Sequence, residues 1–120
     1  MSSVDEMYTL IFNGEIYNHN DLRKELKFKD YKGHADSETL LYGLIEQGES
    51  FIRKLNGIYA FALFDKVKQR IILARDPFGV KPLYYSHQGN EWIFSSEIRP
   101  VQAMIKSDID TQTLQILLNL

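Results

Sequence analysis

The sequence predicts an α+β fold, an incomplete α/β/β/α layered sandwich of mainly antiparallel sheets. Residues 58–64 are apolar without alternation, which is typical of a strand that is buried on both faces. Such a strand needs a covering layer on each side, and helices facing one side with solvent on the other do not provide both. Successive strand segments are joined by short polar turns, which favours antiparallel pairing.

The predicted strands are bounded by residues that form turns. Residues 8–12 are β-prone and lead to Asn13-Gly14, a pair that suits a sharp turn because both residues tolerate positive φ. The other predicted strands are short apolar or aromatic segments at residues 58–64, 70–74, 83–86 and 92–95. Two facing sheets of usual size need roughly twice this number of strands, which indicates that part of the sandwich is missing.

The best-marked helix begins at Asp36. It has a capping residue, an acidic first turn and an apolar stripe, and Gly48 follows its last residue. Three further helices are predicted from weaker signals, at residues 21–26, 50–55 and 110–118.

Charge and composition exclude several classes of function. The formal net charge is -2 and the basic residues are scattered, so we expect no binding to nucleic acid or to an anionic membrane surface. No apolar run approaches the roughly 20 residues of a membrane span and no signal-peptide pattern is present, which predicts a cytoplasmic location. His19, His34 and His87 lack metal-ligand spacing, so no metal is expected. The chain has no cysteine, which removes thiol chemistry from its own residues.

Residues 12–18 (FNGEIYN) place an amide side chain, a glycine backbone and a carboxylate close together in the sequence. The side-chain NH₂ of Asn13 and the backbone N–H of Gly14 could converge on one oxygen, because glycine lets the backbone approach closely. Two such donors form an oxyanion hole. The alternative is that Asn-Gly only makes a turn, which is what an isolated pair of this kind usually does.

The wider sequence favours the oxyanion hole. Residues 12–18 resemble the signature of class II glutamine amidotransferases of the asparagine synthetase family. Three further segments match that family in the same order, at residues 34–38, 55–63 and 74–85, and residues 95–98 follow them. The resemblance covers nearly the whole chain and implies a fold of the N-terminal nucleophile hydrolase type.

The resemblance also implies roles for individual residues. Asn13 and Gly14 would stabilise the oxyanion, Asp36 would hold the α-ammonium group of glutamine, and Glu15 would lie beside the bound glutamine. The alternative for Asp36 is a plain helix N-cap, worth about 1 kcal/mol. For residues 75–82 a structural loop is preferred over direct ligand binding, and Tyr84, Tyr85 and Trp92 are interpreted as strand packing.

The family's chemistry begins with an N-terminal cysteine, and this chain contains none. The resemblance therefore implies that residues 1–120 are a partial glutamine amidotransferase domain that is inactive alone. Its parent would hydrolyse glutamine and pass ammonia to aspartate or another acceptor. We expect no cofactor in this chain, because ATP and magnesium belong to a synthetase domain whose pyrophosphatase loop it lacks. Two alternatives stay open: a module that binds an amino acid without cleaving it, and a subunit completed by another chain.

Strands without neighbours expose unpaired backbone groups, and apolar faces without cover favour association. We therefore predict that this chain forms a homo-oligomer through exposed strands or apolar faces. Sedimentation over a range of protein concentrations checks this, and a monomer at every concentration would contradict it.

Overall fold

The computed structural model describes residues 1–79 in full and, beyond them, the backbone of three strands. The elements are β1 Tyr8–Ile16, α1 His19–Glu25, α2 Asp36–Gln47, a 3₁₀ helix at Gly48–Lys54, β2 Gly57–Asp65, β3 Arg70–Arg75, β4 Tyr84–Gln88, β5 Glu91–Ser95 and β6 Gln115–Asn119. Within this described part of the chain, no helix is long and apolar enough to cross a membrane. The mixture of helices and strands confirms the α+β prediction.

Four strands form one sheet in the order β1-β2-β3-β6. β1 and β2 are antiparallel in a register that runs from Tyr8 opposite Asp65 to Ile16 opposite Gly57. β2 and β3 are also antiparallel, whereas β3 and β6 are parallel. β4 and β5 form a separate antiparallel pair, which confirms the predicted hairpin. The predicted strands at residues 58–64 and 70–74 correspond to β2 and β3.

Both faces of the central strands are buried. The helices pack on one face of the sheet and enclose the larger core of Leu10, Ile16, Leu22, Leu26, Leu40, Leu41, Leu44, Phe51, Ile52, Tyr59, Phe61, Leu63, Ile72 and Ala74. The opposite face carries a second buried cluster of Ala62, Ile71 and Leu73, against which Phe64 packs. Burial on both faces therefore explains the unbroken apolar run of β2, as the sequence predicted.

The prediction of a helix at residues 110–118 is wrong for residues 115–118, and residues 110–114 lie outside the described part of the chain. Residues of this segment form β6, which pairs with β3 so that Ile116 lies opposite Ile71 and Leu118 lies opposite Leu73. A short apolar run fits a strand as well as a helix, and the pairing with a buried neighbour decides between them. The predicted helix at 21–26 begins two residues earlier, as α1, and the segment at 50–55 belongs to the 3₁₀ helix.

The predicted turn at Asn13-Gly14 is also wrong, because β1 continues through both residues to Ile16. Gly14 has φ 134° inside the strand, and an added Cβ would collide with the carbonyl oxygen of Ile58. This φ region is essentially restricted to glycine. The lack of a side chain at Gly14 therefore allows β1 to approach β2 closely.

α2 ends as predicted, at a glycine. Gly48 has φ 65°, and its backbone N–H donates to the carbonyl of Leu44. Near the middle of the helix, Gly43 faces the ring of Phe51, and an added Cβ would overlap that ring. Phe51 is 1% exposed, so the ring has little room to move away.

Replacing Gly43 with alanine should therefore destabilise the fold by about 1 to 3 kcal/mol, because the added methyl group overpacks the contact between α2 and the 3₁₀ helix. Urea unfolding followed by circular dichroism measures the change. The control is Ser37→Ala on the same helix, where we expect a change within about 0.5 kcal/mol. Equal stability of Gly43→Ala and the native chain would contradict the overlap.

Candidate functional site

The signature residues of β1 lie on two faces of the sheet. Asn13 and Glu15 are exposed on the face opposite the helices, whereas Phe12 and Ile16, on either side of Gly14, pack into the core on the helix side. This follows from the period of two along a strand. The side chain of Asn13 makes no hydrogen bond to any residue that the structure describes, so its NH₂ group is available to a ligand.

β1 is an edge strand whose outer side is occupied at both ends. At one end the amide of Leu10 donates to the carbonyl oxygen of Met1 over 2.7 Å. At the other end the amide of Ile16 donates to Oδ2 of Asp36 over 2.9 Å. Backbone groups alternate in direction along a strand, so the amides of Phe12 and Gly14 face the same outer side. Within the described residues, neither amide has an acceptor at this edge.

Asp36 is the first residue of α2 and is half-buried. The N-cap is Ala35, and no side chain caps the helix, so the interpretation of Asp36 as an N-cap is wrong. Its carboxylate instead reaches β1, where Oδ2 accepts the amide of Ile16. The other oxygen, Oδ1, has no hydrogen-bond partner among the described residues. The structure thus brings Asp36 to the edge of β1, two residues from Gly14.

A carboxylate and a row of outward amides lie side by side at this edge. The carboxylate suits an ammonium group, and the amides suit a carbonyl or carboxylate oxygen. The N-terminal end of α2 adds positive potential close to Asp36. This arrangement can hold a small molecule that carries both kinds of group.

The loop before α2 is held by residues that the sequence analysis did not single out. Arg23 donates to the carbonyl oxygen of Gly33 over 2.6 Å and to that of Ala35 over 2.8 Å. Glu38, 8% exposed, accepts the amide of Lys32 over 2.9 Å. No sequence pattern indicates this role for Arg23, because these two acceptors are backbone carbonyl groups about ten residues away.

Asn18, the last signature residue, is a structural link. Its side-chain NH₂ donates to the carbonyl oxygen of Lys54 over 2.8 Å, and its Oδ1 accepts the amide of Asn56 over 2.9 Å. The amide of Tyr17 donates to the carbonyl of Asn56 as well. These bonds fix the end of β1 against the beginning of β2, where the chain makes its turn after Ile16.

Asp76 supports the strand that faces Gly14. This fully buried carboxylate accepts the amide of Tyr59 at Oδ2 and the amide of Phe78 at Oδ1. Tyr59 lies opposite Gly14 in the sheet. Burial raises the pKa of the Tyr59 hydroxyl, and the charge of Asp76 raises it further. The first part of the segment 75–82 therefore has a structural role, and the part from residue 80 lies outside the described residues.

Other residues considered from the sequence are either exposed or outside the described side chains. His34 is exposed, and the side chains of His87, Tyr84, Tyr85 and Trp92 lie outside the described residues. Among the residues that were described, no group of three or more His, Cys, Asp or Glu is arranged to hold a metal ion. A cavity of about 250 Å³ lies at the opposite end of β1, lined by residues that include Tyr8, Asp65 and Arg70. None of the four predicted site residues lines it.

Comparison with known proteins assigns the family. The glutamine amidotransferase domain family matches the chain over residues 1–120. The chain belongs to this family. The amidotransferase chain is 42% identical over 109 residues to asparagine synthetase [glutamine-hydrolyzing] 3 of Bacillus subtilis, which covers 88% of the chain and 18% of that protein. It is also 42% identical over 118 residues to asparagine synthetase 1 of the same organism, covering 96% of the chain and 19% of that protein.

A relative from another organism agrees with this assignment, and a solved structure agrees with the fold. A putative asparagine synthetase of Methanocaldococcus jannaschii is 40% identical over 95 residues, covering 79% of the chain and 18% of that protein. The structure of glutamine phosphoribosylpyrophosphate amidotransferase from B. subtilis has a TM-score of 0.64 and 24% identity, covering 80% of the chain and 23% of that chain. This likeness supports the predicted N-terminal nucleophile hydrolase fold. The amidotransferase chain thus spans about a fifth of the length of these relatives.

The ring of Tyr31 lies below the guanidinium of Arg23, with 3.9 Å between the guanidinium carbon and the ring centre. Among the described residues, its hydroxyl is buried without a hydrogen-bond partner, and burial raises its pKa. Tyr31→Phe should leave the free energy of unfolding unchanged or raise it by up to about 1 kcal/mol, because an unsatisfied polar group is removed.

The pH dependence checks the same prediction. A raised phenol pKa gives stability that is complete below the unfolded-state pKa of about 10 and is lost as pH rises towards the folded-state pKa. The free energy of unfolding of Tyr31→Phe should therefore fall less steeply above about pH 10 than that of the native chain. Chemical unfolding at neutral and alkaline pH measures this, and identical slopes would contradict it.

Proposed function

We propose that this chain contributes the glutamine-binding and oxyanion-stabilising part of a glutaminase site of the asparagine synthetase type. Asp36 holds the α-ammonium group of glutamine, and Glu15 lies beside the bound molecule. Asn13 and Gly14 stabilise the negative oxygen that develops on the side-chain carboxamide of glutamine. The parent enzyme releases ammonia and delivers it to aspartate or another acceptor.

The observation that carries this proposal is the hydrogen bond from the amide of Ile16 to Asp36. It fixes one carboxylate oxygen and leaves the other without a hydrogen-bond partner among the described residues. The bond also holds α2 against the edge where the amide of Gly14 faces outward. Gly14 and Asp36, from separate parts of the sequence, therefore lie along the same edge, and Asn13 and Glu15 adjoin Gly14 on the strand.

The expected chemistry follows from the donors. When a thiolate attacks the carboxamide carbon of glutamine, the carbonyl oxygen becomes an oxyanion. The NH₂ group of Asn13 and the amide of Gly14 can donate to that oxygen, and loss of one such donor commonly lowers the rate by about 10² to 10³. The chain has no cysteine, so the attacking sulfur is not among its residues. On its own, the chain should bind glutamine without turnover and requires no cofactor to do so.

Glutamine binding should depend on the charge of Asp36. Asp36→Asn keeps an oxygen for the amide of Ile16 and removes the negative charge, so glutamine should bind about 10-fold to 100-fold more weakly, the equivalent of one charge-assisted hydrogen bond. Isothermal titration calorimetry of the native chain and the variant at millimolar glutamine measures the change.

The matched control is Asp30→Asn, which makes the same charge change at an exposed residue of the loop before α2. This variant should bind glutamine as the native chain does. Equal affinity of Asp36→Asn and Asp30→Asn would contradict the assignment of the ammonium to Asp36. Ammonia released from glutamine at an enzymatic rate by the pure chain would contradict the absence of turnover.

A further inference from the structure

We propose that Arg23 is a positioning residue for Asp36, so that an arginine on α1 sets the ammonium-binding geometry of a carboxylate on α2. The inference rests on the proposed function only for the identity of the ligand. The contacts that carry it are internal to the chain and can be tested without ligand.

Arg23 uses three of its guanidinium nitrogens on three separate acceptors. Nε donates to Oγ1 of Thr39 over 2.9 Å, one terminal nitrogen donates to the carbonyl oxygen of Gly33 over 2.6 Å, and the other donates to that of Ala35 over 2.8 Å. The planar guanidinium presents these donors in fixed directions. A flexible ammonium group at this position could not bond to all three acceptors in the same geometry.

Two of the acceptors flank Asp36 in the sequence. Ala35 immediately precedes it as the N-cap, and Thr39 follows three residues later, on the same side of the helix. Thr39 is 1% exposed, so water has little access to its hydroxyl, which also lies 3.5 Å from Nδ1 of His19. Arg23 therefore fixes the backbone before Asp36 and the first turn after it. The direction of the Asp36 carboxylate towards Ile16 follows from these two restraints.

The position of Arg23 itself is fixed by its surroundings. Its guanidinium carbon lies 3.9 Å from the centre of the Tyr31 ring, a cation–π contact. The Tyr31 ring in turn packs edge-on against Phe28, with ring centres 4.8 Å apart, and Phe28 stacks on Tyr42 of α2. The arginine is thus held between an aromatic cluster on one side and backbone carbonyls on the other.

The loop is restrained from α2 as well. Glu38 accepts the amide of Lys32, one residue before Gly33. Arg23 and Glu38 therefore act on adjacent parts of one loop, the first through carbonyl groups and the second through an amide. Removing Arg23 leaves the Glu38 bond in place, so the loop should loosen near Ala35 while the helix remains folded.

Amide hydrogen exchange at Ile16 tests the proposal without ligand. In Arg23→Gln the Ile16 amide should exchange about 10-fold faster or more, approaching its rate in Asp36→Ala, because the acceptor is no longer held. The amide of Tyr59, which donates to Asp76, should keep its protection. Arg23→Lys keeps the charge but not the planar donors and should behave as Arg23→Gln does. The control is Arg53→Gln, at an exposed position on the 3₁₀ helix.

Binding of two ligands separates positioning from general destabilisation. L-Glutamine carries an α-ammonium group, and 5-amino-5-oxopentanoic acid is the same molecule without it. Arg23→Gln should weaken the binding of glutamine by about 10-fold or more and that of the analogue by less than about 3-fold, since the analogue has no group for Asp36.

The outcomes distinguish the two proposals. Unchanged exchange at Ile16 in Arg23→Gln, or native behaviour of Arg23→Lys, would overturn the positioning role whatever the ligand. Equal weakening of both ligands would also overturn it. Faster exchange at Ile16 together with no glutamine binding by the native chain would support the positioning role and contradict the proposed function instead.

Discussion

The hydrogen bond between Ile16 and Asp36 ties the helix layer to the edge of the sheet, and the candidate site depends on it. Among the described residues, the other contacts between α2 and the sheet belong to the apolar core, which is not directional. An apolar contact does not determine where a carboxylate at the beginning of a helix lies relative to one strand amide. The 2.9 Å hydrogen bond fixes the position of the Asp36 carboxylate relative to the amide of Ile16.

Two other side chains in the same region also join neighbouring segments through hydrogen bonds to backbone groups. Asn18 joins the end of β1 to the beginning of β2, and Asp76 joins the end of β3 to the middle of the β1–β2 pair at Tyr59. In each case a side chain bonds backbone groups of a neighbouring segment. Such bonds leave fewer backbone groups unsatisfied where strands end, and they hold the edge near Gly14 in one geometry.

Much of the fold could be predicted because its signals are local. The two-sided burial of β2, the hairpin of β4 and β5, and the end of α2 at Gly48 all follow from short sequence patterns. The errors arise where distant partners decide. Residues 110–118 contain an apolar run that pairs with β3, and Asn13-Gly14 stays extended because β2 lies alongside it.

The four site residues remain a prediction, and the contacts that hold the fold around them could not be predicted. The family resemblance singled out residues 13, 14, 15 and 36, and the structure brings the strand edge and the helix together. The supporting residue Arg23 was missed, because its acceptors are carbonyl groups and one hydroxyl, which carry no pattern in sequence. The sequence alternatives for Asp36 are a helix cap and a ligand contact, and neither predicts its hydrogen bond to the backbone of β1.

The φ of 134° at Gly14 gives this position a stereochemical preference. A Cβ on the L side would meet the carbonyl oxygen of Ile58. The same φ is the mirror image of the extended backbone of an L residue. Position 14 therefore disfavours every L residue, and among the genetically encoded amino acids only the achiral one satisfies that preference.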